Sequence, residues 1–428
     1  MGENMAAFSF AAGNAAKLAR IPIYLLGRLA TALIPRRRDA WVVGCAVGVA
    51  DGALALWRQV ERDGHPALWL TTTPAQDEQA RAAGIPAVRA YSPRGFWVTA
   101  RARVIVVTHG FGDVNRYAVH GGFIVQLWHG IPLKRIGLDS PATVRSSILP
   151  RSRAMRAMLR ALYRGTTRRI CLIPAASHLV RGRLESAFGL DDERVPVVGE
   201  PRTDVLSEGA PSERRERARA LVTEAVGALP TPRSRIVLYA PTWRDGTPDP
   251  AVPTPGQWEG LVAALERADA VLLVRSHPLG GGDYTPPRAT DRVRALGSDL
   301  LADPTPVLAG VDVLVTDYSS LVFDAALVPL PVVHVAPDAA DYAVQRGFYG
   351  RYEDIAGTDS PADWDEAVPV IEELLQDRTA DAVARHRSRE LSERVHAFRD
   401  GGNARRVYRA ILSRTGISPR APATRGQE

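Results

Sequence analysis

The stretch DVLVTDYSSLVFD, residues 312–324, decides the fold of this chain. Its apolar run, Val313–Thr316, is typical of a strand buried on both faces, and it ends abruptly at Asp317. Apolar residues with helical spacing follow the polar segment 317–320, so the pattern predicts a strand, a polar turn and a helix start. Either serine of this turn can cap the helix, and its first N–H groups would face the edge where open α/β sheets bind ligands.

An anion such as phosphate suits a turn of this kind, because backbone N–H groups and the helix dipole favour negative charge there. The alternative is that Asp317, Ser319 and Ser320 only end the strand and cap the helix. The stretch by itself favours this simpler interpretation. Three other apolar runs change the balance, because they end in the same manner, at residues 236–239, 271–274 and 331–335.

Polar side chains follow these strand ends. If the strands lie parallel in one sheet, their carboxyl ends meet at one edge, and the polar side chains gather there. The residues expected at this edge are Thr242, Arg244, Arg275, His277, Asp317, Ser319 and Ser320. The sequence therefore predicts a binding site built from several separate segments.

The length of 428 residues predicts more than one domain, because single hydrophobic cores rarely grow past about 250–300 residues. Short apolar runs alternate with helical stretches, which indicates an α/β fold throughout. We place an N-terminal domain at residues 39–215, a C-terminal domain at 230–415 and a disordered tail at 416–428.

The formal net charge of +7 raises the hypothesis of a nucleic-acid partner. The arginines are spread along the chain, however, and the sequence has no zinc-finger spacing, no RRM-type motif and no aromatic-basic platform. We therefore predict no nucleic-acid partner, and an anionic substrate or membrane surface explains the charge equally well. Cys45 and Cys171 each lie in an apolar run without ligand spacing, which indicates buried, reduced thiols.

The first 38 residues have a character of their own, since residues 15–35 mix apolar and basic side chains and a triple arginine follows at 36–38. Arg28 interrupts the apolar stretch, whereas a spanning helix needs about 20 mostly apolar residues. The triple arginine also disfavours a signal peptide. We predict an amphipathic helical segment on the anionic inner leaflet, at the cytoplasmic face of the membrane. The alternative is an ordinary first helix packed on the domain.

Two histidines, His109 and His129, each stand beside a glycine at the end of an apolar run. Backbone can approach a ligand closely at such a position. A histidine with a pKa near 6.5 can also accept a proton at neutral pH. A lone histidine is more often structural, but His129 is better placed than most, and Lys134 follows it closely.

Five segments, in this order, resemble the motifs of the CDP-glycerol glycerophosphotransferase family, which comprises teichoic acid primases, teichoic acid polymerases and related capsule polymerases. They are WHGIPLK (128–134), GEPRTD (199–204), YAPTWR (239–244), RSHP (275–278) and TDYSSLVFD (316–324). The resemblance covers roughly residues 40–410, and five ordered motifs are more specific than one. Two positions depart from the family pattern. Glu200 stands where the family usually has an apolar or aromatic residue, and Arg275 stands where the family often has lysine.

The resemblance implies a GT-B fold, in which two Rossmann-like domains face each other across a cleft and the C-terminal one holds most of the nucleotide. It implies a peripheral membrane enzyme of EC 2.7.8 type. This enzyme would transfer an alditol phosphate, most simply glycerol phosphate, from a CDP-alditol and release CMP. The implied acceptor is a hydroxyl of a lipid-linked saccharide or polyol phosphate in cell-wall or capsule synthesis.

The resemblance and the positions together assign roles to the site residues. His129 is the general base on the acceptor hydroxyl, and His277, Arg275 and Arg244 stabilise the pyrophosphate. The residues assigned to substrate binding are Thr242, Arg244, Asp317, Ser319, Ser320, Asp324, Lys134 and Arg202. The serines would hold pyrophosphate oxygens, and Asp317 would orient a basic partner or the nucleotide. Asp324 would do the same or only stabilise its helix.

The carboxylates stand one to a strand end rather than in pairs, so we predict no cofactor and no obligatory metal. Two alternatives from other classes stay open. One is a GT-B glycosyltransferase that uses a nucleotide sugar, which the same sheet and helix-terminus arrangement supports. The other is a non-catalytic membrane-bound scaffold with a degenerate site, against which His129, Arg275, His277 and the serine pair argue.

Overall fold

The computed structural model describes residues 21–141, 143–144, 149, 151–244, 249–276 and 282–420. The chain divides into two compact units. The first comprises the residues up to 129, residues 135–204 and the residues from 402 onward, and the second comprises residues 130–134 and 205–401. Each unit contains one parallel sheet with helices, as the α/β prediction requires.

The first unit is built on six parallel strands in the order β3-β2-β1-β4-β5-β6. The strands are β1 Trp41–Gly44, β2 Ala67–Thr71, β3 Ala87–Arg89, β4 Val104–Val107, β5 Phe123–Gln126 and β6 Ile170–Leu172. The helices before and between them, and after β6, are α1 Ile21–Leu33, α2 Asp51–Arg62, α3 Pro74–Ala82, α4 Pro93–Arg101, α5 Arg153–Thr167 and α6 His178–Phe188. Side-chain caps with proline in the first turn start α3 and α4, where Thr73 and Ser92 accept from the N–H groups of Gln76 and Gly95.

The second unit is built on five parallel strands in the order β11-β10-β7-β8-β9. The strands are β7 Arg235–Ala240, β8 Ala270–Val274, β9 Val293–Ala295, β10 Val313–Thr316 and β11 Val332–His334. Its helices are α7 Pro211–Val226, α8 Pro255–Arg267, α9 Leu321–Ala325, α10 Ala339–Gln345, α11 Glu353–Ala356, α12 Trp364–Gln376 and α13 Arg378–Val395. A final helix, α14 Asn403–Thr415, belongs to the first unit.

Strand β10 has apolar side chains on both faces of the second sheet. Val313 and Val315 join the cluster that includes Trp364 of α12, whereas Leu314 joins the opposite cluster with Val222 of α7. The strand lies between β11 and β7, so its end meets the ends of both. The predicted parallel arrangement of these strands is therefore confirmed. Strand β9 is not predicted, because it is a short edge strand whose sequence, VRA, lacks an apolar run.

The predicted domain boundaries need correction at both ends of the second unit. Helix α7, placed at the boundary, packs in the second core through Val222. Helix α14, placed in the C-terminal domain, packs instead with Trp41 in the first core, where Tyr408 Oη lies 2.7 Å from His65 Nε2. The carboxylate of Asp204 fixes the start of α14. It accepts hydrogen bonds from the N–H groups of residues 403 and 404 at 2.8 Å each. The helix belongs to the first unit rather than the second because its apolar side chains are buried there.

Both ends of the chain extend beyond the described residues, so the predicted membrane segment is described only from Ile21 and the predicted tail only up to Arg420. The tail is ordered further than predicted, since Arg420 donates to the carbonyl of Gly64 at 3.1 Å. None of the helices between residues 21 and 420 that are described is long and apolar enough to cross a membrane.

Candidate functional site

Asp317 is the centre of the predicted edge of the second sheet. Its side chain is buried and directly follows β10. One carboxylate accepts the N–H of Thr242 at 2.9 and 3.1 Å, the N–H of Tyr318 at 2.5 Å and Nη1 of Arg244 at 2.8 Å. The ends of β7 and β10 are thereby joined, and the predicted convergence of Thr242, Arg244 and Asp317 is found.

Arg244 is buried between two carboxylates. Besides Asp317, it donates from Nε and Nη2 to both oxygens of Asp338 at 2.9 Å. Burial by itself lowers the pKa of Arg244, but the hydrogen bonds to Asp338 and the charge of Asp317 outweigh burial and raise it. The guanidinium is thus permanently charged and already paired on two sides. Its predicted contact with a pyrophosphate stays a prediction.

Two stacked aromatic rings lie beside this guanidinium. The Arg244 guanidinium carbon lies 4.9 Å from the ring centroid of Tyr318 and 5.0 Å from that of Tyr342, distances at which cation–π attraction operates. The two tyrosine rings stack with centroids 4.1 Å apart, and Tyr318 Oη donates to Asp338 at 2.8 Å. Strand β10, strand β7 and helix α10 therefore hold one rigid charged group together.

Lys134 joins this group although it lies about a hundred residues before β7 in sequence. Residues 130–134 belong to the second unit, where Lys134 forms an antiparallel bridge with Phe348 and its Nζ lies 5.9 Å from the ring of Tyr342. The pKa of the Lys134 ammonium is lowered to about 8, chiefly by burial; the charge of Asp317 opposes this shift, and those of Arg346 and Arg244 add to it. Lys134 is one of two lysines in the sequence, the other being Lys17.

The backbone carbonyl of Asp317 also has side-chain partners. Tyr352 Oη donates to this oxygen at 3.0 Å, and His334 Nδ1 lies 3.3 Å from it. Burial lowers the pKa of His334 to about 4, so this histidine is neutral at physiological pH and serves the packing of the turn.

The serine pair stands where the sequence places it, but the helix that follows is short. Helix α9 has five residues, and Ser320 precedes it without a side-chain cap. Ser319 Oγ instead accepts the N–H of Leu321 at 3.3 Å. Both serines are half-buried, and Asp324 is buried inside α9. The predicted helix dipole is therefore weak, because it grows with the number of aligned peptide groups.

Arg275 is placed at the end of β8 as predicted, but its guanidinium is engaged by backbone. Nη1 donates to the carbonyls of Leu296, at 3.3 Å, and of Gly297 and Leu301, and Nη2 donates to that of Ala302 at 3.0 Å. Burial lowers the pKa of Arg275. In the structure this arginine holds the segment after β9, and its role toward a pyrophosphate stays a prediction. His277 lies outside the described residues.

Thr242 and Arg202 differ in whether their polar groups are available to a substrate. The hydroxyl of Thr242 is buried and has no hydrogen-bond partner among the described residues, so it can serve a ligand. Arg202 belongs to the first unit, where its Nε donates to Asp51 at 3.1 Å and both residues are half-buried. This ion pair fixes the start of α2. From the sequence, Arg202 is assigned to substrate binding, and this structural contact is not predicted.

His129, in the first unit, is exposed and contacts two neighbouring rings. The ring of His109 lies parallel to it at 4.3 Å, and the ring of Trp128 lies at 4.2 Å. Trp128 has φ +62°, a left-handed conformation that is rare for a bulky residue, and Gly130 follows with φ +122°. Backbone strain of this kind concentrates at functional sites, because the surrounding structure must hold it.

The partner of His129 is itself anchored. Thr108 Oγ1 lies 2.8 Å from Nδ1 of His109, and the carboxylate of Asp113 accepts the N–H groups of Thr108 and His109 at 2.9 and 2.8 Å. Burial raises the pKa of Asp113, against the opposing effect of these N–H groups and of His109. The turn after β4 therefore presents His109 to His129 in one orientation.

Three residues that contact Arg244 are not among the predicted site residues. Asp338 and Tyr342 follow the run at 331–335 and Tyr318 lies within the turn at 317–320, but nothing in the pattern shows that they contact Arg244. The available signal is that β11, like its neighbours, ends in polar and aromatic residues. Over the described ranges, no cluster of three or more His, Cys, Asp or Glu side chains is arranged to hold a metal ion.

Comparison with known proteins gives a family. Residues 45–413 match the model of the family described as CDP-glycerol:poly(glycerophosphate) glycerophosphotransferase. A teichoic acid ribitol-phosphate primase of Bacillus spizizenii is 27% identical over 53% of this chain and 55% of that protein. A teichoic acid poly(glycerol phosphate) polymerase of Staphylococcus epidermidis is 30% identical over 54% of this chain and 31% of that protein. A teichoic acid glycerol-phosphate transferase of Staphylococcus aureus is 26% identical over 63% and 66%. The chain thus matches less than two thirds of the length of these curated relatives.

Solved structures agree on the fold. The structure of the wall teichoic acid polymerase TagF has a TM-score of 0.72 at 21% identity and covers 93% of each chain. A structure of a TagF variant soaked with CDPG has a TM-score of 0.73 at 19% identity, over 94% of this chain and 97% of that one. This likeness confirms the predicted GT-B type with two Rossmann-like units.

Proposed function

This chain belongs to the CDP-glycerol:poly(glycerophosphate) glycerophosphotransferase family, and from that premise we propose that it transfers an alditol phosphate, most simply glycerol phosphate, from a CDP-alditol to a hydroxyl group. The proposed acceptor is a lipid-linked saccharide or polyol phosphate of a cell-wall or capsule polymer. The observation that carries the proposal is the gathering of Thr242, Arg244 and Lys134 around Asp317 at the carboxyl edge of the second sheet.

In the proposed reaction the acceptor oxygen attacks the phosphorus that bears the alditol. The bond from this phosphorus to the bridging oxygen breaks, and CMP leaves with the electron pair. His129 takes the proton of the attacking hydroxyl, a role that suits an exposed imidazole held by stacking. The pyrophosphate carries the charge that the protein must stabilise, and positioning supplies the rest.

Lys134 is the cation we assign first to the pyrophosphate. Among the described residues no salt bridge engages it, whereas Arg244 is already neutralised by Asp317 and Asp338. We therefore assign to Arg244 the rigid placement of the Asp317 turn, with the Thr242 hydroxyl and the serine pair as hydrogen-bonding groups. Arg275 and His277 keep their assignment as pyrophosphate groups, and Arg202, paired with Asp51, acts through the start of α2.

The test is product analysis. The full chain is incubated with CDP-glycerol, CDP-ribitol and a set of nucleotide sugars, together with a lipid-linked acceptor, and CMP release is measured with and without EDTA. We expect CMP from a CDP-alditol, and we expect EDTA to leave the rate unchanged. Release of a nucleoside diphosphate together with sugar transfer would contradict the proposal and support a glycosyltransferase instead. Loss of activity in EDTA that magnesium restores would contradict the metal-independent reaction.

The pKa of Lys134 gives a prediction for donor binding. With a pKa of about 8, the ammonium is charged below pH 8 and loses its proton above that pH, so its attraction to the pyrophosphate weakens as the pH rises. We expect the KM for CDP-glycerol to rise above about pH 8, by up to tenfold per pH unit when only the charged form binds. The measurement is KM between pH 6.5 and 9.5.

Two substitutions of the same residue serve as controls. Lys134→Arg keeps a charge throughout this range, so the rise in KM near pH 8 should vanish. Lys134→Met should show a high KM at every pH, without a step. A step of equal size in all three proteins would contradict the assignment to Lys134. Folding has the opposite dependence: the lowered pKa means that the unfolded chain binds more protons between about pH 8 and 10.5, so stability from this group rises with pH.

We also propose that the protein binds peripherally to the anionic inner leaflet, at the cytoplasmic face of the membrane. Helix α1 supports this proposal, because Leu25, Leu26, Leu29 and Leu33 are each more than half exposed on it. Basic side chains stand beside them at Arg28 and at 36–38. An exposed apolar strip with flanking positive charge is the composition of a helix that lies in a membrane interface.

A further inference from the structure

A small cationic cavity lies in the first unit beside α1. It is lined by Tyr24, Arg28, Arg116, Tyr117, Val119, His120 and Arg169. The cavity is shallow and open to solvent, and Arg28 and Arg169 are exposed, so a phosphate group would bind at its mouth against these side chains. Three arginines thus converge from α1, from the segment before β5 and from the residue before β6.

The cavity carries positive charge that the protein does not neutralise. Its lining, all of it within the described residues, includes no Asp or Glu, and Arg28, Arg116 and Arg169 form no salt bridge in the described part of the chain. Arg116 is oriented by its Nε, which donates to Tyr91 Oη at 2.8 Å. Burial lowers the pKa of His120, and Arg28, Arg169 and Arg36 lower it further, which is the effect expected in a positive field.

The cavity is preformed, because contacts in the first half of α1 and just beyond its end fix this helix to the unit. The rings of Tyr24 and Tyr117 lie 4.9 Å apart, and Gly27 approaches the Tyr117 carbonyl so closely that a Cβ there would stand 2.4 Å from the oxygen. Beyond the helix, Arg36 donates to the carbonyls of Thr99 at 3.1 Å and of His120. A preformed cationic cavity binds an anion without first paying to order its side chains.

The exposed leucines of α1 identify the source of the anion. They lie on the helix that also carries Arg28 into the cavity. We propose that this cavity binds the phosphate group of an anionic membrane lipid while the leucines of α1 enter the adjoining acyl region. The inference deepens the peripheral membrane binding proposed above and rests on it. The phosphate of a lipid headgroup and free phosphate share the same chemistry, but only a lipid explains the leucines.

The experiment measures binding of the full chain to vesicles without any CDP-alditol. Vesicles of phosphatidylcholine with 30% phosphatidylglycerol are compared with pure phosphatidylcholine. We expect Arg116→Gln/Arg169→Gln to lower affinity for the anionic vesicles about tenfold or more, since each arginine near an anionic surface contributes severalfold. The matched control, Arg58→Gln/Arg62→Gln on α2, removes the same charge from exposed side chains and should lower affinity less than threefold.

Further arms separate the sources of phosphate. Leu26→Ser/Leu29→Ser should weaken vesicle binding and leave weak binding of inorganic phosphate, followed by titration, unchanged. Equal losses in the cavity and control variants would overturn the proposal in favour of general charge attraction. Phosphate binding that needs Arg116 and Arg169, with vesicle binding that does not, would overturn the lipid assignment.

Folding and activity are kept separate from this test. If Arg116→Gln lowers the midpoint of thermal unfolding, the single variant Arg169→Gln is used in place of the double variant. Arg169 is exposed, so its substitution should not affect folding. Arg116→Lys should retain most of the vesicle binding, because it keeps the charge. Arginine-dependent binding in a protein that releases no CMP would uphold the cavity and reject the transferase. CMP release together with vesicle binding that does not depend on these arginines would uphold the transferase and reject the lipid-binding cavity.

Discussion

His129→Ala is expected to lower kcat for alditol-phosphate transfer by about 10²–10⁴-fold, the usual contribution of a general base. KM for the CDP-alditol should change little, because the assigned role of His129 is toward the acceptor hydroxyl. His129 is exposed, so its removal costs no core packing, although the stack with His109 is lost. The measurement is initial-rate CMP release at saturating donor and acceptor.

His386→Ala is the matched control for removal of a histidine. This side chain is 68% exposed on α13, where its partner Glu390 lies 3.5 Å away. We expect its rate to equal that of the unchanged protein. His277→Ala is expected to abolish turnover as well, by loss of a pyrophosphate group. Near-normal rates in both His129→Ala and His277→Ala, in folded proteins, would replace the enzyme by the scaffold hypothesis.

Asp317→Ala is expected to lower the free energy of unfolding by about 3–5 kcal/mol, the cost of breaking a buried ion pair from one side. The substitution leaves the buried Arg244 with one of its two carboxylate partners and removes the acceptor for the Thr242 N–H. Donor binding should be lost as well, because the carboxylate orders the ends of β7 and β10. The midpoint of urea denaturation, followed by tryptophan fluorescence, measures the change.

A double-mutant cycle with Arg244→Met isolates the interaction. We expect a coupling free energy of about 1–3 kcal/mol between the two substitutions, because the residues share one buried network. The control is Asp381→Ala, which breaks the Arg385 pair at 2.8 Å where both side chains are 30% exposed. That loss should stay below about 1 kcal/mol. A cost for Asp317→Ala no larger than for Asp381→Ala would contradict the central place of Asp317.

Much of the candidate site follows from the sequence, because the rule that connects strand ends to a shared edge is general. The apolar runs at β7, β8, β10 and β11 are short and continuous, as buried parallel strands require. Once they are neighbours, Thr242, Arg244 and Asp317 must meet, and they do. The motif resemblance adds the family, which the residues 45–413 support.

The sequence misjudges how these side chains are used. The sequence predicts Arg244 and Arg275 as cations available to a pyrophosphate. In the folded chain, Arg244 is paired with two carboxylates, and Arg275 donates to four backbone carbonyl groups. A buried guanidinium must satisfy its donors wherever the fold provides acceptors, and those acceptors come from distant segments. No local pattern contains that information.

By itself the sequence determined the alternation of strands and helices, the parallel sheets and the edge where the polar turns meet, because periodicity and turn chemistry act over a few residues. Only the tertiary structure decided that α14 completes the first core, that Asp338 binds Arg244 and that Lys134 enters the second unit. The lowered pKa of Lys134 belongs to the same class, since it arises from burial beside Arg244 and Arg346. Desolvation and charge pairing depend on which segments become neighbours in space, and that is settled when the whole chain folds.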